Sequence, residues 1–271
     1  MKSLHPSWLA LGFMPVFEKY IRRGKLLMWL RGVILLMSFS LAPLVNAEDY
    51  QNANNFSGSI ALGGYKTEGN TQTATFDGKF KLGHSYGKWS SEAVLKATQV
   101  SESGIVSSDY YEALLKSIYD LPQHFYTFLQ LRYREDTFGG IYSENTYIGG
   151  FGYHAFKDNP DYSLDIELGY GERVTKKLID GVIRDKLDYD PGTHIGIIGK
   201  YSFTENDALK INLSGEFGND DDYIQKEISW VHQLFGAVHA DLTYESRTVT
   251  RPGVGKVPTD EKITVKLGYT F

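Results

Sequence analysis

The last ten residues, Lys262-Ile263-Thr264-Val265-Lys266-Leu267-Gly268-Tyr269-Thr270-Phe271, divide by parity. Ile263, Val265, Leu267, Tyr269 and Phe271 fall on one set, and Lys262, Thr264, Lys266, Gly268 and Thr270 on the other. Side chains of a strand alternate between its two faces, so one face here is wholly apolar and the opposite one wholly polar. Two environments suit such a strand: a soluble sandwich, or the wall of a membrane barrel with its apolar face toward lipid. The sequence ends on Phe271 with nothing further to cover that face, which favours the barrel.

The same alternation recurs along the chain. It is clearest over Tyr162–Tyr170, Ala74–Tyr86, Leu209–Phe217 and Val238–Arg247. It is good over Trp89–Ala97, Thr127–Asp136, Tyr147–Ala155 and Ile195–Phe203, and weaker over Phe56–Lys66, Tyr111–Leu121 and Ile224–Leu234. With the final strand these make twelve, and a tilted strand crosses a bilayer in about 9–11 residues. The even-numbered links are short: Tyr86-Gly87, Leu121–His124, Lys157–Asp161, Thr204–Asp207 and Phe235-Gly236. Most of the others are longer and more polar, notably Val174–Asp190 and Thr248–Glu261. This is the pattern of an all-β, transmembrane, antiparallel up-and-down barrel with tight periplasmic turns, larger outer loops and its N-terminus on the periplasmic side. The final strand is expected to close the barrel against Phe56–Lys66.

Placing Tyr86-Gly87 at the centre of a two-residue turn sets Lys81 opposite Glu92 and Asp77 opposite Lys96 on the polar face. Two opposite-charge pairs then stabilise the hairpin by a few tenths of a kcal/mol each. Aromatic residues gather near the short links: Tyr86, Trp89, Tyr119, Phe125, Tyr162, Tyr201, Phe203, Trp230 and Phe235. On an outward face they would form a girdle at the periplasmic interface.

The N-terminal region reads as an export signal. Val33–Leu41 is apolar, follows Arg22, Arg23, Lys25 and Arg31, and precedes Val45-Asn46-Ala47, whose small residues mark cleavage before Glu48. The run is short of the roughly 20 residues that span a bilayer as a helix. Residues 1–47 are therefore assigned to a signal peptide, with 1–27 as an upstream extension if translation starts at Met28. Residues 48–55 form a short periplasmic segment, and 56–271 the barrel. Residues 1–47 hold six of the 28 basic and one of the 33 acidic residues, so the remainder carries a formal net charge of −10. That acidity argues against nucleic-acid binding. The absence of cysteine excludes disulfides, thiolate metal sites and cysteine nucleophiles.

Two stretches carry a family likeness. Gly63–Thr73 (G-G-Y-K-T-E-G-N-T-Q-T), centred on Gly69, Asn70 and Thr71, resembles the T-x-G-N-T-x-T turn of a family of outer-membrane proteins described as salt-induced, whose domain is one of unknown function. Leu131–Tyr153 resembles its second hallmark, R-Y-x-x-D-x-F-x-G-L followed by a G-x-G-x-G-Y strand, with Asp136, Phe138 and Gly140 at the motif positions and Ile141 in place of leucine. The likeness runs through Phe56–Phe271 and implies an outer-membrane barrel. It brings no reaction, ligand or catalytic residue. Physically, Gly69 and Asn70 tolerate positive φ in a turn. Gly149, Gly150 and Gly152 let a strand bend, or let a bulky lumen side chain approach the backbone.

Any chemistry of such a barrel would lie on its polar faces. They gather Asp77, Lys79, Lys81, Glu92, Lys96, Arg132, Arg134, Asp165, Glu167, Arg173, Lys200, Lys210, Glu216, Asp241, Glu245, Arg247, Lys262 and Lys266 into the lumen. Such mixed signs mean either a salt-bridged, nearly plugged interior or a hydrated pore with charged walls. A lipid-cleaving barrel would need a serine within reach of an oriented histidine. Beyond residue 47 no histidine has a serine two positions later, and His84-Ser85 point to opposite faces. Asp220, Asp221 and Asp222 form a weak candidate for a loosely held divalent cation, or simply solvate a turn.

These readings point to a non-enzymatic, cofactor-free outer-membrane barrel, a narrow pore or an envelope component tied, as the resemblance implies, to salt or osmotic conditions. A plugged barrel acting through its outer loops is the second reading. A soluble periplasmic lipid-binding barrel, with apolar faces inward, is the third. Expected partners are outer-membrane lipid, lipopolysaccharide and the barrel-assembly machinery, which would read Gly268, Tyr269 and Phe271. The oligomeric state is left open. Deleting Phe271 is expected to impair insertion more than it alters the folded barrel.

Overall fold

The structure, a computed structural model, describes residues 55–67, 72–137, 139–159, 161–179, 182–252 and 255–271. The expected signal peptide, the segment through residue 54, and Gly69, Asn70, Thr71 and Phe138 lie outside them. Twelve strands follow in order: β1 Asn55–Thr67, β2 Thr73–Tyr86, β3 Trp89–Glu102, β4 Ile105–Asp120, β5 Phe125–Asp136, β6 Ile141–His154, β7 Tyr162–Ile179, β8 Val182–Ser202, β9 Asp207–Gly218, β10 Asp222–Phe235, β11 Val238–Val249 and β12 Thr259–Thr270. Each pairs antiparallel with the next, and β12 pairs with β1, so the sheet closes on itself. Closure leaves no free edge, which is what lets strands span lipid.

Parity sorts the two faces as alternation requires. Ile263, Val265, Leu267 and Tyr269 of β12 are exposed on the outside, as are Leu168, Tyr170 and Phe151 on the opposite wall. Asp77, Glu112, Arg132, Arg134, Glu144, Glu167 and Glu245 are buried inside. That is the reverse of a soluble lipid carrier, whose apolar faces would line the interior. Tyr86, Trp89, Phe125, Tyr162, Tyr201, Phe203, Trp230 and Phe235 point outward near the rim where β1 begins and β12 ends.

Two expectations about links are corrected. Val174–Asp190 is not a loop: β7 and β8 stay paired from Tyr162–Tyr201 to Ile179–Val182. Here like residues fall side by side, as in Lys176-Lys177, Leu178-Ile179 and Val182-Ile183, so hydrophobic alternation fades while the backbone ladder continues, and a bulge between Lys176 and Leu178 breaks the period further. The β3–β4 link is equally tight. Ser103 (φ 51°) and Gly104 (φ 79°) form a two-residue turn with both central residues left-handed, as type I′ demands. The far rim is thus built largely of lengthened strands.

The β2–β3 register is also corrected. Tyr86 pairs with Trp89, so the central turn residues are Gly87 and Lys88, with Gly87 at φ 59°. A positive φ belongs at the first central position of a type II′ turn, which puts glycine there rather than second. Moving the turn by one residue slides the pairing by two and keeps every face. Asp77 therefore lies opposite Thr98, Lys79 opposite Lys96, and Lys81 opposite Val94. Lys81 and Glu92 still meet diagonally at 2.7 Å, whereas Asp77 and Lys96 take other partners.

The closing seam is the shortest ladder. β1 and β12 pair from Ser59–Thr270 to Leu62–Leu267, with two further hydrogen bonds of 2.8 Å between the backbones of Gly58 and Phe271. Other neighbouring strands stay in register for eleven to seventeen rows. Phe271 thus belongs to the ladder, and its ring lies against Gly58, where a Cβ would fall 2.3 Å from the ring. Above Leu62 the seam is held from inside. Lys262 Nζ and Lys266 Nζ reach past side-chain-free Gly63 to the Asp77 carboxylate on β2, at 2.6 and 2.9 Å.

Asp77→Ala should leave two inward lysines without their counter-charge, a loss of about 3 kcal/mol or more for a buried pair broken on one side. Amide exchange at Ile60–Leu62 and Leu267–Tyr269 should then accelerate before that of β4–β5. Unchanged seam protection would show that Asp77 does not hold the closure.

Candidate functional site

The interior is the site, and its chemistry follows from confinement. Alternation directs most ionisable side chains of the belt inward, where lipid cannot solvate them and neighbours on the far wall can reach them. Lys79 and Lys96 stand directly opposite on β2 and β3, an unfavourable juxtaposition of like charges. Glu227 of β10 crosses the lumen to accept from both, at 2.7 and 2.6 Å. Glu227 in turn stands opposite Glu245 on β11, and Glu245 is neutralised by Arg247 at 2.8 Å and Lys262 at 3.6 Å.

Higher in the lumen, Arg132 and Arg134 of β5 share Glu144 of β6 at 3.5 and 2.8 Å, and Arg132 also reaches Glu216 of β9 at 2.6 Å. Both guanidinium groups lie over the buried ring of Tyr223 from β10, 4.7 and 4.3 Å from its centroid. Arg247 packs 3.6 Å over Tyr110 of β4, whose hydroxyl donates to Glu112 at 2.7 Å. Arg247 and Tyr110, like Arg132 and Tyr223, come from opposite walls. Arginine suits this role because its planar cation both stacks and donates in a fork. Together these side chains form a layer across the barrel, toward the rim where β5, β9 and β11 end. Two spaces remain beside it. One of about 20 Å³ lies among Thr146, Arg173, Asp190, His194 and Glu216, and one of about 10 Å³ adjoins Asp77, Lys79, Lys96 and Glu227. Each accommodates about one water molecule.

A second sector is packed by aromatic rings. Tyr126, Phe128 and Ile148 form a buried cluster inside the barrel. A Cβ on Gly152 would fall 2.1 Å from the Tyr126 ring, and one on Gly150 would fall 2.8 Å from the Phe128 ring. The glycine-rich strand therefore serves close approach of bulky lumen residues to the backbone. Tyr126 donates to Glu167 at 2.6 Å, and Lys116 joins the same carboxylate at 2.6 Å. His194 completes the sector with its ring edge toward Phe128.

Among the sequence-picked residues, Asp77, Lys81, Glu92, Lys96, Arg132, Arg134, Asp165, Glu167, Asp241, Glu245, Arg247, Lys262 and Lys266 all stand on the inner wall. Asp165 pairs with His154 at 2.7 Å near the rim. Asp241 lies 3.6 Å from His239. Asp136 does not enter the lumen network; its carboxylate accepts the Gly139 N–H at 2.7 Å, capping the turn that Gly140 completes at φ 83°. Asp221 pairs with Arg173, while the N–H groups of Asn219, Asp220 and Asp221 converge on the Asp190 carboxylate. Among the described residues no three His, Asp or Glu side chains converge on a metal position. Sequence reasoning missed Glu112, Lys116, Glu144, Asp190, His194 and Glu227. These fall on two of the three strands with weak alternation, or on stretches assigned to links or left outside the strands, where parity gives no clear face.

A closed twelve-stranded wall, apolar outside and charged within, defines an outer-membrane β-barrel. The chain belongs to the family described as "Protein of unknown function, DUF481", whose model matches residues 60–271. The uncharacterized protein YdiY of Escherichia coli (strain K12) is 24% identical over 225 residues, covering 80% of this chain and 83% of that protein. Among solved structures, the NanC porin is 10% identical with a TM-score of 0.49, covering 79% of this chain and 98% of its own. An outer membrane channel from Pseudomonas putida F1 is 13% identical with a TM-score of 0.45, covering 83% and 98%. Such distant likenesses carry no solute or activity over to this chain.

Glu227→Ala should strand Lys79 and Lys96 face to face and cost about 3–5 kcal/mol, as for one partner removed from a buried pair. Adding Lys79→Ala should recover part of that loss. Thermal unfolding of Glu227→Ala, Lys79→Ala and the double variant in one detergent measures both numbers, and simple additivity would mean the cross-lumen contact carries no coupling.

Proposed function

We propose that the protein is an outer-membrane barrel that is closed at rest, its lumen sealed by the arginine–tyrosine–carboxylate layer, and that its work is done at the rims. The observation that carries this reading is that partners from opposite walls touch: Arg132 and Arg134 with Tyr223, Arg247 with Tyr110, and Lys79 and Lys96 with Glu227. In this reading the rim where β1 starts and β12 ends faces the periplasm. Export uses the signal within residues 1–47, and the assembly machinery reads Gly268, Tyr269 and Phe271. Outer-membrane lipid and lipopolysaccharide contact the apolar belt. The protein is not an enzyme.

A gated narrow pore is the second reading, and one observation favours it. The seal consists of side chains alone, many of them long and charged, with water-sized spaces beside it. Ionic strength weakens attraction between partly hydrated charges. Salt is thus a physical variable to which such a seal would respond, which is how a role in salt or osmotic conditions would enter.

Planar-bilayer recording tests the reading. The wild-type barrel should give no steady conductance at low salt, and the triple variant Arg132→Ala, Arg134→Ala, Tyr223→Ala should give discrete channel openings. Steady wild-type conductance at low salt would overturn the closed state. Openings that appear only as salt is raised would favour the gated pore.

A further inference from the structure

Three pairs of like charges stand directly opposite each other on neighbouring inner-wall strands: Lys79 with Lys96, Glu227 with Glu245, and Lys200 with Lys210. The first two neutralise one another across the lumen, as described above. The third does not. Among the described residues no carboxylate lies within 4 Å of the Lys200 or Lys210 ammonium. Asp241 is a counter-charge to Lys210 beyond ion-pair distance, and Lys81, Lys79 and Lys200 act on it as like charges. Asp241 is itself beside His239, and Glu227 is committed to Lys79 and Lys96. Both lysines are exposed, close to the strand ends at Ser202 and Asp207, on the rim side of the sealing layer.

Their setting is uniform in chemistry. Following the pairing from strand to strand, one row of the inner wall reads Ser163, Lys200, Lys210, Ser229, Thr243 and Thr264 across β7 to β12. The row holds hydroxyl and ammonium groups and no carboxylate. Opposite residues of a pair have Cβ atoms about 5 Å apart, so two lysines there can close on one small tetrahedral anion. Charge-assisted hydrogen bonds from ammonium to oxyanion are stronger than neutral ones, and flanking hydroxyls can satisfy the remaining oxygens. A divalent oxyanion between the two ammonium groups would offset their repulsion more closely than Asp241, which forms no ion pair with either lysine.

We propose that this row, centred on Lys200 and Lys210, is a binding site for a divalent oxyanion, a free phosphate or the phosphoryl group of a small solute, entering from the rim where β12 ends. The site goes beyond the closed-barrel reading and does not depend on it, because the anion need not pass the seal.

Calorimetric titration of the folded barrel in detergent tests the site, with inorganic phosphate, glycerol 3-phosphate and acetate as probes. Phosphate or glycerol 3-phosphate should bind one per barrel, and acetate should not saturate. Tighter binding of glycerol 3-phosphate than phosphate would identify an organic phosphate as the occupant, and the converse would identify the free anion. Lys200→Gln and Lys210→Gln should each weaken binding about tenfold, the scale of one charge-assisted hydrogen bond. Lys200→Arg and Lys210→Arg should retain it within a few-fold, which guards against a folding defect in the glutamine variants. Lys157→Gln, at the same rim but held by Asp120, should change nothing. Equal binding of acetate, no saturable phosphate binding, or full affinity in both glutamine variants would overturn the site and mark the lysines as merely solvated. Conductance plays no part in this readout, so its outcome is separable from that of the closed barrel.

Discussion

The constraint on which the rest of the structure depends is that lipid cannot solvate a charge. A strand in the belt has two faces, and the outer one must be apolar, so most ionisable side chains of twelve strands are forced into one narrow lumen. Such groups are costly to bury alone and tolerable only when paired. The interior answers with pairs that reach across it. Glu227 joining two facing lysines, or Arg132 lying on Tyr223, arise because a twelve-stranded wall is narrow enough for long side chains from opposite sides to meet. The charged and aromatic layer that crosses the lumen follows from the same rule that makes the outside greasy.

That rule also sets how much could be read from sequence. Where alternation was strong, as in Tyr162–Tyr170 or the final strand, both the strand and its inner face were legible. Where apolar and polar residues stop alternating, as in Val174–Asp190, the signal vanished although the ladder ran on, and Asp190 went unseen with it. Glu112, Lys116 and Glu227 lay on strands of weak alternation. Partners were harder than faces. Periodicity fixes parity, but register depends on which turn residue takes a positive φ, and in Tyr86-Gly87-Lys88-Trp89 glycine takes the first central place rather than the second. Gly236 likewise takes a positive φ at the first central place of its turn, where Phe235 pairs with Val238, and a bulge between Gln233 and Phe235 then shifts the β10–β11 register by a further residue. Cross-lumen partners depend on barrel diameter and stagger, which no local pattern carries.

The glycine-rich strand shows what kind of information a family motif can hold. Gly150 and Gly152 have no reaction to perform; they leave room for Phe128 and Tyr126 from the preceding strand, and Tyr126 uses that position to hold Glu167. Asp136 and Gly140 of the neighbouring hallmark close the turn between the same two strands. Both motif halves thus shape one hairpin, β5–β6, which supplies Arg132, Arg134 and Glu144 to the sealing layer. A pattern that brings no chemistry of its own still positions the side chains that decide whether the lumen is open.

The seam between β1 and β12 joins these themes. It is the only junction made by residues far apart in sequence, so no tight turn sets its register. Its ladder is short, and Phe271 extends it by one row while its ring covers Gly58. Above Leu62 the work passes from backbone to side chains: Gly63 offers no Cβ, Lys262 and Lys266 pass over it, and Asp77 on the second strand receives both. The clasp therefore skips β1 and ties β12 directly to β2. Ordinary ladder hydrogen bonds are shielded within the wall, whereas this clasp faces the lumen and belongs to the same charge network as the seal. Closure of the wall and the packing of the lumen are for that reason one electrostatic problem in this protein. A change in the interior charge balance near Asp77 would reach the seam through Lys262, which also touches Glu245 in the heart of the network.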